Sequence, residues 1–323
     1  MSTVLRILTG LLALAATQCA IAEDKYPNKP VTIIVPQAAG GANDAIARVI
    51  AQKLSEQLGQ TFVVDNRPGA GGNVGTVAAA KAKPDGYTLM ITADSSMVIN
   101  PALYKSTGFD PVKDFQPVST LATAGYVLVA NPAFPAKNMA EFIALAKAQP
   151  GKLSIAHGGN GTAMHLSAAL FAQMADVKLV EIPYKGSGPV ALDVLAGQVP
   201  LGVVDLPSAL QHIKAGKLTA YAVTSPQRLP MLPDVPTVSE AGLAGYDSTG
   251  WFGVVAPAGT PDAVVARLNA EITAALNDEA IKSAMRNLGV EPAPGTAQAF
   301  DAYIRSETQK WSRVIKAANI KAE

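Results

Sequence analysis

A repeated local order constrains this chain more than any other feature: a short run of β-branched residues, a glycine-bearing turn, then a stretch with helical spacing. Val31–Val35 (VTIIV) is almost wholly apolar, as a strand covered on both faces must be. Past Gly40 and Gly41, residues Ile46, Val49, Ile50, Leu54 and Leu58 recur at helical spacing. The same order returns with 62–64 (FVV) before a helix over 76–83, and with 89–92 (LMIT) before Ser95. It recurs with 153–156 (LSIA) before 162–174, and with 179–182 (LVEI) before 189–196. Such alternation predicts an α/β fold with mainly parallel sheets covered by helices on both faces. Ligand sites in sheets of this kind lie where the carboxyl ends of strands turn into helices.

A length of 323 residues suggests two domains. Two crossings between them are expected. One is the Pro-containing stretch 115–132, with strand-like runs at 118–121 and 126–129; the other lies near 246–256. From Pro261 onward the pattern is helical, with Thr260 predicted to cap a helix over 263–276 and Gly289 to stop a later one. If these helices return to the first sheet, the first lobe is discontinuous, 23–122 with 250–323, and the second lobe is 123–249.

The first 22 residues read as an export signal and are set aside. Arg6 supplies a basic start, 7–16 (ILTGLLALAA) is apolar but too short to span a bilayer, and Ala20, Ile21 and Ala22 form a small-x-small cleavage site. Cleavage after Ala22 is expected, giving a periplasmic protein. Cys19 raises a lipoprotein alternative, which the bulky, polar Gln18 before it disfavours. The remainder carries no cysteine, so disulfide and thiol chemistry are excluded there. The balance of 26 Lys+Arg against 25 Asp+Glu, with no basic run, argues against a nucleic-acid partner.

Glycines mark the loops that could carry chemistry. Gly40 and Gly41, Gly71 and Gly72, Gly158 to Gly161, and Gly186 with Gly188 each precede a predicted helix. Bare backbone there lets N–H groups approach an anion, and the helix dipole adds a partial positive charge. The alternative is that glycine merely permits tight turns, and four such loops in one chain weaken it. The segment 186–191 (GSGPVA), with Asp205 further on, imitates a dinucleotide fingerprint, but it sits mid-chain in an exported protein, and no cofactor is expected.

Enzyme constellations are absent from the sequence: there is no GxSxG, no GxxxxGK[ST] and no HExxH. His157, His165 and His212 share no metal-ligand spacing, so no metal is expected, and only His165, one turn into its helix, is placed near a ligand. Asp44 reads more readily as a helix-start cap or a partner for Arg48 at i+4 than as a ligand group. Trp251 fits a cleft lining or a hinge packing role equally well.

Several motifs then follow one another in a fixed order. They are VTIIVP after Tyr26-Pro27, the Gly40 to Asp44 loop, NRPGAGGNVG (66–75), PDGYTL (84–89), INPALY (99–104) and YKGSGP (184–189). LPSALQHIKAGKL (206–218), LPDVPTVSEAGL (232–243), WFGVVAPAGTP (251–261) and RLNAEI (267–272) complete the series. Together they resemble the Bug family of extracytoplasmic solute receptors, the substrate-binding component of tripartite tricarboxylate transporters, over essentially the whole mature chain. The resemblance implies a two-lobed, type II periplasmic-binding-protein fold, a non-enzymatic monomer, and a small carboxylic acid held in the cleft. It implies membrane permease subunits as partners.

The resemblance also implies that the loop after the first strand and its counterpart in the second lobe pinch a carboxylate through backbone donors and water. The candidate ligand residues are therefore Gln37, Ala39, Gly40, Gly41, Asn43 and Asp44, with Asp94, Ser95 and Ser96 beside them. On the second side they are Gly159, Asn160, Gly161, Thr162 and His165, with Lys185, Gly186, Ser187 and Asp205. The chain departs from the family at three places. Gln37, Ala38 and Ala39 stand where Phe and Pro are frequent. Ser96-Met97 replaces a frequent Thr-His, which predicts a less polar wall. Val203-Val204-Asp205 shifts an acid by one position, which on a strand would turn it to the opposite face. Two other readings stay open, and only the second keeps the binding activity and changes its output. One is an exported enzyme with Asp44, His165 or Asp205 as general base; the other is a sensing receptor for a membrane signalling partner.

Overall fold

A computed structural model describes residues 26–321; the export signal at 1–22, Cys19 included, lies outside the described residues. The first αβ unit comprises β1 (Val31–Val35), α1 (Ala42–Leu58), β2 (Phe62–Asn66), α2 (Asn73–Ala80), β3 (Thr88–Ala93) and the short α3 (Asn100–Leu103). The long β4 (Phe115–Ala130) leads to a second unit of α4 (Met139–Ala148), β5 (Ser154–His157), α5 (Ala163–Ala175), β6 (Val180–Pro183), α6 (Ser187–Leu195), β7 (Leu201–Asp205), α7 (Leu206–Lys214) and β8 (Thr219–Val223). Then β9 (Thr249–Pro257) returns, followed by α8 (Asp262–Asn277), α9 (Glu279–Asn287), β10 (Glu291–Pro292) and α10 (Ala297–Ala317).

The strand order is β2-β1-β3-β9-β4-β7-β5-β6, with β8 and β10 also paired to β4. The βα units give the parallel pairs β1/β2, β1/β3, β5/β6 and β5/β7. Every antiparallel pair of strands involves β4 or β9, the strands that run between the two units. The two strand-like runs expected at 118–121 and 126–129 are one strand of 16 residues. Its pairing with β9 ends at Gly125↔Thr249, and its pairing with β7 begins at Tyr126↔Asp205. Pro117, which cannot donate to a ladder, sits at one of the register shifts that bend this strand.

Both sheets are covered on two faces. Ile46, Ile50 and Leu54 of α1 pack with Leu268 and Ile272 of α8 and Met285 of α9 on the first sheet, so the C-terminal helices do return to it. On its other face lie Phe300, Ile304 and Trp311 of α10, in one cluster with Phe142 of α4 and Phe171 of α5. Val190 and Val194 of α6 and Leu210 of α7 cover the remaining face of the second sheet. Trp251 is fully buried against the rings of Phe300 and Tyr303, which gives it the packing role. Side-chain caps start several helices, among them Thr162 at α5 and Thr296 at α10. Thr260 does not cap α8, because Pro261 holds the cap position and the Thr260 hydroxyl donates to the Pro257 carbonyl at 2.8 Å. Gly289, at φ +79°, follows α9 as a left-handed stop.

Candidate functional site

The loop between β1 and α1 is tied down from behind and bare in front. The Gln37 amide donates to Ser96 Oγ at 2.6 Å, its side-chain oxygen accepts from Asn43, and its main-chain carbonyl accepts from Asn66 at 3.2 Å. Residues 38–42 are exposed, and Gly40 takes φ +88°, a region open mainly to glycine. Asp44 is buried at the base. It accepts from the Gly40 N–H at 2.9 Å and from Arg48 Nε at 3.0 Å, and its second oxygen pairs with Arg48 at 3.0 Å. Burial would raise its pKa, but the Arg48 and Gly40 bonds outweigh burial and hold it below the usual carboxylate value. Asp44 thus staples the loop, as its spacing to Arg48 suggested.

At the end of β3 the expected loop is a wide helical turn, Ser95–Ile99, that runs directly into α3. Asp94 Oδ1 accepts from the Ser95 N–H at 2.6 Å, while Oδ2 is buried with no partner. Burial pushes the Asp94 carboxyl up to about 7, with the charge of Glu307 adding to it. Ser96 is fully buried and serves Gln37. Met97 is fully buried within the α10-facing core and lines no cleft, so the less polar wall expected from Ser96-Met97 does not arise there.

The second unit presents the turn between β5 and α5. Gly159 and Gly161 have φ of +128° and +72°. Thr162 Oγ1 donates to the Gly159 carbonyl at 2.7 Å and accepts from the His165 N–H at 3.2 Å, closing the turn onto the helix. His165 Nδ1 accepts from the Gly161 N–H at 3.0 Å, so its proton sits on Nε2 and is donated to Glu181 at 3.1 Å. That bond, more than any other influence, holds Glu181 below the usual carboxylate value. The neighbouring loop is joined to this turn, the Gly186 N–H donating to the Gly158 carbonyl at 3.1 Å.

Ser187 is buried, and its hydroxyl accepts from the Asp205 N–H at 2.7 Å. Asp205 in turn caps α7, accepting from the Ser208 N–H at 3.0 Å. Asp205 is the last residue of β7, still paired across the sheet with Tyr126, and the same side chain starts the following helix.

Tyr126, which sequence reasoning passed over, lies within reach of the acids from both units. Burial first, then the charges of Asp94 and Asp205, push its phenol well above 10. Leu103 and Tyr104 were also missed, although they stand inside the INPALY motif. Leu103 meets the second unit directly: a Cβ added at Gly161 would come within 2.6 Å of Leu103 Cδ2. Beside this contact is a cavity of about 640 Å³ lined by Leu103, Tyr104, Gly159, Asn160, Pro183, Tyr184, Lys185 and Lys321. A second cavity, of about 680 Å³, lies on the outer side between α4, α5 and the end of α10, and of the candidate site it reaches only Glu181, the partner of His165.

Among the described residues one group has the composition of a metal site, His157, His165 and Glu181, whose ligand atoms lie within 4.8 Å of one another. The two imidazoles, however, are stacked 9° from parallel at 4.3 Å. Ring lone pairs lie in the ring planes, so stacked rings do not converge on one ion, and His165 already spends both nitrogens on Gly161 and Glu181. The cluster is arranged as a hydrogen-bonded buttress for the glycine turn.

The family described as tripartite tricarboxylate transporter family receptor matches residues 46–320. A UPF0065 protein from a Pseudomonas species, encoded between tcbD and tcbE, is 40% identical over 96% of this chain and 93% of its own length. Protein BugT of Bordetella pertussis is 36% identical over 99% of both chains. Among solved structures, Rpa4515 of R. palustris with adipate superimposes with a TM-score of 0.76, at 37% identity, over 92% of this chain and 99% of that one. A TctC solute-binding protein from Polaromonas reaches a TM-score of 0.81 at 30% identity, over 90% and 99%. MatC of Rhodopseudomonas palustris with bound malate gives 0.71 at 32%, over 90% and 100%.

Proposed function

The chain belongs to the family of tripartite tricarboxylate transporter receptors, and as a solute-binding receptor of that family we propose that it captures a small carboxylic acid in the periplasm between its two αβ units. The observation that carries this reading is the pair of glycine turns. One follows β1 and has Gly40 at positive φ, the other follows β5 and has Gly159 and Gly161 there; each has a helix directly behind it, and the second touches the first unit at Leu103. The adipate and malate named for two similar structures are both dicarboxylates, which supports a carboxylate as the ligand's anchor.

The magnitudes say what must supply affinity. A helix N-terminus contributes roughly 0.3 to 1 kcal/mol to an exposed anion, whereas micromolar binding needs about 8 kcal/mol. Backbone hydrogen bonds and desolvation as the units close supply most of the remainder. Closure would turn on β4 and β9, and the change of β4 partners between Gly125 and Tyr126 favours a lobe boundary there, three residues beyond the one expected at 122.

The same reading makes the protein a non-enzymatic monomer that delivers its ligand to membrane permease subunits. The partners of all three candidate bases support its non-enzymatic part. Asp44 is spent on Arg48 and Gly40, His165 on Gly161 and Glu181, and Asp205 on capping α7. Export follows from the first 22 residues, and no helix among the described residues is long and apolar enough to cross a membrane. N-terminal sequencing of the secreted protein should begin at Glu23.

A thermal-shift screen of mono-, di- and tricarboxylates tests the central claim. An acid at a hundred times its Kd should add about 2.7 kcal/mol of apparent stability. A panel in which no acid raises Tm, with amide and ester analogues raising it instead, overturns the carboxylate reading.

A further inference from the structure

The turn between β5 and α5 carries the only Asn-Gly step in the sequence, Asn160-Gly161. When glycine follows asparagine, no Cβ keeps the next main-chain nitrogen from the side-chain carbonyl carbon, so ring closure between the two is sterically open. Asn160 is exposed, so water reaches it and ammonia can leave. In an unstructured chain the closure is slow, because a peptide N–H gives up its proton with difficulty. The fold places a base on that N–H.

His165 Nδ1 lies 3.0 Å from the Gly161 nitrogen and accepts its hydrogen bond. On the far side of the ring, Nε2 faces Glu181 at 3.1 Å. A nucleophile, an imidazole within hydrogen-bond reach of its proton, and a carboxylate orienting the imidazole form the order in which proteins activate a nucleophile. Here the nucleophile is main chain. The near-parallel face of His157 at 4.3 Å fixes the ring, and Thr162 Oγ1, bonded to both the Gly159 carbonyl and the His165 N–H, fixes the turn. Asn73 gives the contrast. The N–H that follows it donates to the Gly69 carbonyl at 3.4 Å, an acceptor too weakly basic to take a proton.

We propose that this turn is a self-modification site, at which His165 removes the Gly161 amide proton and the Gly161 nitrogen closes on Asn160 Cγ. The N–Cγ bond forms, the Cγ–Nδ2 bond breaks, and the proton carried by His165 leaves with the amide group as ammonia. Solvent water then opens the five-membered imide, leaving aspartate or isoaspartate at position 160. No oxidant or cofactor enters, and the step happens once per chain, without turnover of any substrate. Glu181 acts through His165, as a positioning residue that favours the charged ring. The product carries a new carboxylate in the turn proposed to grip a ligand carboxylate. On the carboxylate-receptor reading, on which this consequence alone rests, binding capacity falls as the protein ages.

Peptide mapping by mass spectrometry on the mature protein incubated at neutral pH tests the modification. The amide-to-acid mass change at Asn160 should accumulate about tenfold or more faster in the folded protein than in a synthetic peptide of residues 156–164, which has the same step without His165. Glu181→Gln keeps an acceptor for Nε2 and should slow the change by about threefold or more. His165→Ala should bring it down to the peptide's rate, and imidazole in the buffer should restore part of it. His165→Phe, whose ring fills the space, should not respond to imidazole. Folded protein that changes no faster than the peptide overturns the proposal whether or not the His165 variants fold, and so do wild-type rates in both Glu181→Gln and His165→Ala. The carboxylate thermal-shift panel, repeated on Asn160→Asp, tests the consequence separately: an acid that raises the wild-type Tm should raise that of the variant less. Equal protection removes the effect on binding, whereas a panel in which no acid protects the wild type defeats the receptor reading and leaves the modification standing.

Discussion

His157 and His165 lie ring on ring, their centroids 4.3 Å apart and their planes 9° from parallel. Stacking at this distance means that a proton on one ring opposes a proton on the other. His157 is fully buried at the end of β5, and burial, followed by the proximity of His165, lowers its pKa from 6.5 to about 4. The sign is fixed by that direction: burying a neutral imidazole contributes stability that is complete above pH 6.5 and is lost as pH falls towards 4. In an NMR titration the His157 ring resonance should move near pH 4. Titration at its ordinary value near 6.5 would show that the ring is hydrated.

Replacing His165 by Phe preserves a flat ring for the stack and removes both hydrogen bonds that fix the turn. The Gly161 N–H loses its acceptor, worth about 1 kcal/mol, and Glu181 loses the bond that lowers its pKa. His165→Phe should therefore lower Tm modestly, raise the Glu181 pKa and weaken carboxylate binding about tenfold or more. Wild-type affinity in a folded His165→Phe protein would separate the buttress from the site.

Two glycines distinguish ligand approach from backbone strain. Gly41 has φ −82°, and an added Cβ would meet only the Ala38 carbonyl at 3.7 Å, an ordinary contact. Gly161 has φ +72° and would press on Leu103. Gly41→Ala should keep stability within about 1 kcal/mol of wild type while weakening binding, because its methyl stands where a carboxylate would approach the main chain. Gly161→Ala should lower both stability and affinity. Unimpaired binding by Gly41→Ala and by the bulkier Gly41→Val, measured by calorimetry, would remove the first turn from the ligand contact.

Asp94 makes the opposite pH argument to His157. Its carboxyl is raised from 3.8 to about 7 by burial, so its contribution to stability is complete below about pH 4 and is lost as pH rises through 7. Asp94→Asn keeps an acceptor for the Ser95 N–H and removes the charge. At pH 8 the variant should be more stable than wild type by about 1 to 3 kcal/mol, or several degrees in Tm, and at pH 4 the difference should vanish. A variant less stable than wild type at pH 8 would mean that the ionised carboxylate has a favourable partner.

The elements and the glycine turns were legible because their signals are local. A buried strand needs a continuous apolar run, a surface helix needs its 3.6-residue stripe, and a turn at φ +72° or +88° selects glycine whatever packs around it. Hence VTIIV, the helix behind Gly41 and the turn before α5 could be placed within a few residues, and the order of motifs carried the family. Asp44 and Arg48 were legible for the same reason, standing four residues apart on one helix.

What the chain's own order could not specify was partnership across distance. Whether 118–121 and 126–129 make two strands or one depends on β9 lying alongside the first half and β7 and β8 along the second. Met97 looks like a cleft residue until α10 packs over it, and Asp205 is the strand residue its sequence suggests but its carboxylate is taken by the start of α7. Lys185 and Lys321 share a cavity only because the C-terminal segment returns to the cleft. Backbone sterics and periodicity act over a few residues and are written in sequence. The commitment of each polar side chain is settled by whichever donor or acceptor the tertiary fold brings within 3 Å, and that contact has no local signature.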